Sequence, residues 1–329
     1  MAIDPAKPYD LHYRVDLAQD KMRLDLFVRA MLPSMSRTRV QQRVAEGRVE
    51  VNGQARPANW RVRPGDQVRI SCRPPEGEGE EGRDIPLAIV YEDADLLVVN
   101  KQPGILVHPV GRHRHDTLLN ALYWRYRDIL PEGESINLAN RLDQHTSGVV
   151  LATKNLAAKR FIQEEFERRA PRKTYLALCR GLVENDSGEI DLPLGPDLSG
   201  RDHCLMAVRR DKGGKDAFTA YQVRERFPAG FTLVALKPVT GRQHQLRVHL
   251  MSIGHPLAGD ARYGGGWRLV VAREGKEAAR LERYALHAGS LVFRQPREGR
   301  EILAEAPPPP DIQGVVAALR AGAVETYNP

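Results

Sequence analysis

The run Asn140-Arg141-Leu142-Asp143-Gln144-His145-Thr146-Ser147-Gly148 sets one carboxylate among cationic and hydroxyl side chains, directly before the apolar stretch Val149–Ala152. A lone Asp before a turn is most often a capping residue, so its companions decide what chemistry is open to it. Arg141 precedes Asp143 by two, and an extended chain there points both side chains the same way. Arg172-Lys173-Thr174-Tyr175 places a tyrosine behind two bases, and Thr240-Gly241-Arg242-Gln243-His244-Gln245-Leu246-Arg247-Val248-His249 alternates polar and apolar residues. That alternation predicts a strand over 245–249 with arginines on one face. A carboxylate in a partly dry pocket has its pKa raised by desolvation, and a neighbouring arginine opposes the shift, keeping the group ionised for attack or proton abstraction.

These residues need a scaffold. Leu96-Leu97-Val98-Val99 and Gly148–Ala152 read as buried strands, with further strands expected at 175–179, 217–223 and 231–236. A helix is expected from Asn155 to about Arg169, with Ala158, Phe161, Ile162 and Phe166 on its apolar side. Strands follow one another without regular helical crossovers, which predicts an α+β fold on a mixed sheet. This larger domain is expected over 89–310, and residues 311–329 beyond Pro307–Pro310 are expected to be a short helix or a C-terminal tail.

A smaller domain is expected over 21–73, after an N-terminal extension at 1–20. Leu24, Phe27, Val28 and Met31 recur at helical spacing up to Pro33. Ser36 is placed to cap a second helix through Val40 and Val44, closed by Gly47. Val49 and Val51 then lead into Asn52-Gly53, a hairpin turn signal. The whole chain carries a formal +7, yet 21–73 alone holds 12 basic residues against four acidic, a net +8. Among them are Arg23, Arg37, Arg39, Arg43 and Arg48, and such a cluster suits a polyanion. The next stretch, PPEGEGEEGRD, has no apolar residue and a net −4; it reads as a self-repelling linker, placed at 74–88.

Several chemistries find no support. Gly77 to Gly82 spells GxGxxG, but two prolines precede it and its glutamates repel phosphate. There is no GxxxxGK[ST], HExxH or GxSxG, so neither a nucleotide cofactor nor a metal is expected, and no cofactor of any kind is called for. His113 and His115 read as surface residues. Cys72, Cys179 and Cys204 form no CxxC pair, which argues against disulfides and zinc. No apolar run reaches membrane-spanning length and the start has no secretory pattern. The expectation is a cytoplasmic protein without membrane contact, working as a monomer.

Residues 21–73, through RLDLFVRAMLPSMSRTRVQQRVAEGRVEVNG and RPGDQVRI, resemble the S-four RNA-binding domain. Residues 89–310 resemble the RluA-type pseudouridine synthases in five blocks: VVNKQPGILVHP, NRLDQHTSGVVLATK, RKTYLALCRG, KPVTGRQHQLRVHLMSIGHPLAGDARYGG and YALHAGSLVF. The RLDxxTSG run is the most diagnostic.

The resemblance implies an isomerase that detaches uracil from its ribose and rejoins it through carbon-5, acting on RNA and above all on large-subunit ribosomal RNA. It implies Asp143 as the catalytic carboxylate, as nucleophile or as base, with Arg247, or after it Arg242, as the buried arginine beside it, in a bidentate grip. Arg141 then occupies the place vacated by the flipped uridine and Tyr175 stacks on the uracil. Thr146, Arg242, His244 and Gln245 fall to substrate binding, and Lys101 and His108 to the pocket rim or a phosphate. For His249 and His255, as for His244, a packed and hydrogen-bonded histidine is the expectation over a catalytic one. Asn140 stands where the family usually has His before Arg-Leu-Asp, and Lys-Gln-Pro-Gly where Lys-Pro-x-Gly is usual. The alternative is a non-catalytic RNA-binding or ribosome-assembly factor that retains the fold.

Overall fold

Two structural units are seen in a computed structural model that describes residues 10–32, 37–71, 83–111, 113–126, 129, 136–199 and 204–326, the Arg39 side chain excepted. The units are Met1–Gly79 and Glu80–Pro329. Pro33, Ser36, the GEGEEG match and most of the expected linker lie outside the described residues.

The first unit runs β1 (Asp10–Arg14), α1 (Leu24–Met31), α2 (Arg37–Ala45), β2 (Val49–Val51), β3 (Gln54–Ala55) and β4 (Gln67–Ser71). Leu24, Phe27 and Val28 of α1 and Val40 and Val44 of α2 are buried against Val49, Val51, Val68 and Ile70 of the sheet, whose order is β1-β4-β2-β3. Asn52 and Gly53 both take positive φ, 52° and 76°, as the tight turn between β2 and β3 requires. The N-terminal extension expected at 1–20 differs: β1 pairs with β4 along its length, and Val15 enters the core. The short run Leu11–Tyr13 is too brief to announce a strand; its pairing with β4 decides it.

The second unit runs β5 (Ala88–Glu92), β6 (Leu96–Lys101), α3 (Leu118–Tyr126), β7 (Asn137–Leu138), β8 (Ser147–Thr153), α4 (Leu156–Glu167), β9 (Arg172–Arg180), β10 (Ser187–Asp191), β11 (Leu194–Pro196) and β12 (Met206–Val208). It continues with β13 (Phe218–Phe227), β14 (Phe231–Pro238), α5 (Gln245–Ser252), β15 (Leu269–Arg273), β16 (Lys276–Leu281), β17 (Leu286–Arg294), β18 (Glu301–Glu305), α6 (Pro310–Arg320) and β19 (Val324–Glu325). The main sheet has the order β10-β13-β14-β9-β17-β8-β6-β5, with β18 on β17 and β7 on β8. It is mixed because β17 and β8 run parallel while their other pairings are antiparallel. Asn155 caps α4 by accepting the Ala158 amide at 2.8 Å, and Ala158 and Ile162 bury that helix against β8.

β8 approaches β17 so closely that only glycine fits at 148. Its φ is +115°, and a Cβ there would stand 2.1 Å from the Ala288 carbonyl oxygen. The last residue of the TSG motif therefore fixes the strand that follows the Asp143 loop.

One expectation for this unit is corrected. The strand expected at 245–249 is the helix α5. Residues 244–250 are all buried, so the polar positions do not mark a wet face; each has an internal partner, and alternation loses its meaning. Of the short helix or tail expected at 311–329, the helix is found as α6, whose Ile312, Val315, Val316 and Leu319 lie buried with Leu269, Val271 and Leu281 of β15 and β16. β19 then pairs with β15. The apolar spacing in α6 is an ordinary helical stripe.

Candidate active site

A cavity of about 250 Å³ opens where the loop before β8, the start of β9 and the turn into α5 converge; Arg141, Asp143, Thr146, Tyr175, Arg242 and His244 line it. The Asp143 loop is pinned through its backbone. Asn140 donates from Nδ2 to Val149 O at 3.3 Å and accepts the Leu151 amide at 2.8 Å, so a neutral amide clamps the loop to β8. The carbonyls of residues 143–145 are each taken: Asp143 O by the Thr146 amide, Gln144 O by Lys101 Nζ, His145 O by Arg283 Nη1. With its main chain held, the Asp143 side chain projects into the cavity.

Arg247 is the cation beside it, as the resemblance implies, but its fork is spent elsewhere. Nε and Nη2 donate to the two Asp260 oxygens at 2.7 and 2.8 Å, leaving Nη1 to reach Asp143 Oδ2 at a long 3.4 Å. The guanidinium lies between the rings of Tyr263 and Tyr284, 4.7 and 4.3 Å from their centroids. Cation–π contact and a full carboxylate partner make a buried charge tolerable there. Burial works against the Arg247 charge, yet Asp260 overrides it and the guanidinium stays protonated well above its ordinary range. Asp143 thus has a positive neighbour without being locked in a bidentate pair, which leaves its oxygens available to react.

The other predicted site residues divide. Tyr175 is half-buried on β9, and burial followed by the Asp143 charge pushes its phenol well up, so it is protonated near neutral pH. Thr146 is buried and donates its hydroxyl to Tyr284 Oη at 3.2 Å. Gln245 shapes the wall, but its amide is fully engaged, accepting from Thr240 Oγ1 and the Arg242 amide and donating to Phe218 O and Thr219 Oγ1. Arg242 is exposed at the mouth, its Nε on Asp216 O. His249 bridges Thr219 and Leu192 O, and His255 meets Arg180 O; both are packed histidines.

Lys101 does not reach the rim. It is 1% exposed, and its Nζ donates to the carbonyls of Gln102, Ile105 and Gln144. Burial, assisted by the Arg283 charge and opposed by Asp143, lowers its pKa to about 7. It supports the Asp143 loop from behind and cannot contact a phosphate. His108 is exposed on the loop after β6 and does not line the cavity.

Sequence reasoning missed Asp260, Tyr263 and Tyr284, which hold Arg247, as well as Phe166 and Lys173 on the cavity wall. The first three lie inside the GDARYGG and YALHAG blocks, where an acid and two aromatics near an arginine were the available signal.

In the first unit, Asp25 is fully buried and accepts from Arg23 at 3.0 and 3.1 Å, from Arg37 at 3.4 Å and from Gln41. Arg43 donates to Ser71 O and Arg48 pairs with Glu46. Several of the module's arginines are therefore structural, engaged by acids already counted in its net charge.

Comparison with known proteins agrees with this geometry. The family described as RNA pseudouridylate synthase matches residues 95–252 and the S4 domain matches residues 22–68. A Bacillus subtilis protein named "Uncharacterized RNA pseudouridine synthase YlyB" is 39% identical over 92% of this chain and 95% of its own length. The "Ribosomal large subunit pseudouridine synthase D" of Nitrosomonas europaea is 36% identical over 91% of this chain and 85% of its own. Among solved structures, "Human RNA Pseudouridylate Synthase Domain Containing 1" aligns with a TM-score of 0.52 at 31% identity, covering 76% of this chain and all of that one. Likeness of this extent, over a site built around one carboxylate and one buried arginine, means that the chain belongs to the RluA-type RNA pseudouridine synthases, isomerases that convert uridine to pseudouridine in RNA.

Proposed function

We propose that this enzyme isomerises uridines in large-subunit ribosomal RNA, with Asp143 as the reacting carboxylate. The observation that carries the assignment is Asp143 in the cavity with Arg247 Nη1 3.4 Å from its Oδ2. The relatives named ribosomal large subunit pseudouridine synthases support the choice of RNA. A uridine inside folded RNA must leave its stack to enter a cavity of this size. Arg141, exposed at the edge and without an ion-pair partner among the described residues, fills the vacated place, and Tyr175 meets the uracil face. Asp143 then attacks the nucleotide or takes a ribose proton, the N1–C1′ glycosidic bond breaks, the uracil rotates in the cavity and carbon-5 bonds to C1′. The carbon-5 proton is then lost, N1 gains one, and Asp143 is regenerated. Arg242 and the exposed arginines of the first unit contact phosphates, which position the RNA without selecting its sequence.

The experiment is direct. Wild type and Asp143→Asn are incubated with ribosomal RNA and with tRNA, and pseudouridine is mapped by carbodiimide-blocked primer extension. Conversion at discrete ribosomal uridines by the wild type, abolished in the variant, is expected. An equally active Asp143→Asn removes Asp143 from the chemistry, and conversion of tRNA alone removes the ribosomal substrate.

A further inference from the structure

His244 stands out among the buried titratable groups because its expected place in substrate binding names no atom that its ring would meet. It is the N-terminal cap of α5 and sits in the left-handed region, φ 53° and ψ 18°. For a residue other than glycine that conformation is uncommon and costs free energy, and it persists where the surroundings impose it. The surroundings here are Tyr263, whose Oη lies 2.7 Å from His244 Nδ1. The ring is 9% exposed, lines the cavity, and places Nε2 3.9 Å from Asp143 Oδ2.

The hydrogen bonds define the tautomer. Tyr263 is 4% exposed, and its Oη already accepts the Met206 amide at 2.9 Å. Its one proton needs an acceptor, and Nδ1 is the partner within reach; a buried hydroxyl proton without one is costly. Tyr263 therefore donates to Nδ1, and the imidazole proton is on Nε2, facing the cavity. Burial lowers the His244 pKa and the Arg247 and Arg262 charges lower it further, against the pull of Asp143, so the ring is neutral near pH 7.

An N–H donor and a carboxylate acceptor 3.9 Å apart are too far to bond each other well. They are placed to share one oxygen that both accepts and donates. A carbonyl can only accept, and the carboxylate would repel it; a hydroxyl satisfies both. We propose that His244 is a substrate-binding residue for ribose: its neutral Nε2–H donates to a hydroxyl of the flipped uridine, the 2′-hydroxyl, which in turn donates to Asp143. The site then reads the target nucleotide as a ribonucleotide and aligns Asp143 with the sugar in one step, with Tyr263 as the positioning residue that holds the tautomer. This rests on Asp143 being the reacting carboxylate.

The test uses the full chain and the ribosomal RNA fragment converted in the mapping above, made with uridine or with a single 2′-deoxyuridine at the target. The wild type is expected to lose about tenfold or more in kcat/KM on the deoxy substrate, one unpaired buried donor being worth roughly that factor. His244→Ala is expected to be slow on both and to discriminate less than about threefold, and His244→Gln, which keeps an N–H near the Nε2 position, to restore part of the discrimination. Undiminished discrimination by a folded His244→Ala overturns the proposal. Independently of turnover, ¹⁵N spectra of the imidazole are expected to show Nδ1 unprotonated and Nε2 protonated at neutral pH, with the preference lost in Tyr263→Phe. A protonated Nδ1 in the wild type overturns the proposal even if no RNA is converted. Failure of the Asp143 assignment shows separately, as an active Asp143→Asn.

Discussion

Arg247 grips Asp260 with two nitrogens, at 2.7 and 2.8 Å, inside a site where both residues are 5% exposed or less. The resemblance implied that this fork belonged to Asp143. By taking the fork, Asp260 holds the guanidinium still, and Asp143 meets a fixed positive charge through one long contact. A carboxylate held by one long contact keeps its oxygens open to a substrate, whereas in a full bidentate pair they would be occupied.

Asp260→Asn should therefore reduce conversion without changing the RNA-binding constant, because Arg247 loses its anchor. Removing one member of a buried pair leaves an uncompensated charge, so stability should fall by about 3–5 kcal/mol. Chemical denaturation and single-turnover rates check both effects. Unchanged rates would mean that the tyrosine rings alone position Arg247.

Gly148→Ala should be among the most damaging single-methyl changes in the chain. The new Cβ meets the Ala288 carbonyl at 2.1 Å and the backbone is at φ +115°. Strain and overpacking together predict a loss of roughly 3 kcal/mol or more, read as a lower thermal midpoint.

Lys101 makes a pH prediction with a definite sign. Its pKa is about 7 in the fold against an ordinary 10.5. Below pH 7 both states hold the proton and the cost of burying it is carried in full. Between about 7 and 10.5 the unfolded chain holds a proton that the folded chain has released, so this residue's contribution to stability rises with pH, by up to about 1.4 kcal/mol per unit. Above that window the dependence ends. Denaturation midpoints of wild type and Lys101→Met, compared from pH 6 to pH 10, should diverge in the wild type's favour as pH rises.

Asp311→Ala tests the reach of α6. Asp311 accepts from Arg283 Nε and Nη2 at 2.8 and 3.0 Å, and Nη1 of the same guanidinium holds His145 O. A loss of about 1–3 kcal/mol is expected, as for a charged hydrogen bond in a partly buried site. Conversion should slow as well, and differential hydrogen exchange should locate the added mobility at residues 143–146.

The elements that could be read in advance were those whose cause is local. Asn155 announced α4, Asn52-Gly53 announced the turn after β2, and the apolar runs at 96–99 and 148–152 became β6 and β8. What was misread has non-local causes. The polar residues of α5 owe their burial to partners up to 57 positions away, and nothing within 245–249 reports that. The five-block resemblance brought Asp143, Tyr175, Arg141 and Arg242 to one cavity, yet it set Lys101 at a rim when its neighbours are three carbonyls. Arg23 and Arg37 looked like free charge because a count of residue types cannot show that Asp25 lies between them.

The link from Arg283 to Asp311 also has a meaning in time. Synthesis runs from the N-terminus, and residues 140–147 emerge long before residue 311. Until that carboxylate leaves the ribosome, Arg283 lacks its partner and the loop bearing Asp143 lacks a finished support. A nascent chain that has made every residue lining the cavity thus still lacks one support of its Asp143 loop, which arrives only with α6.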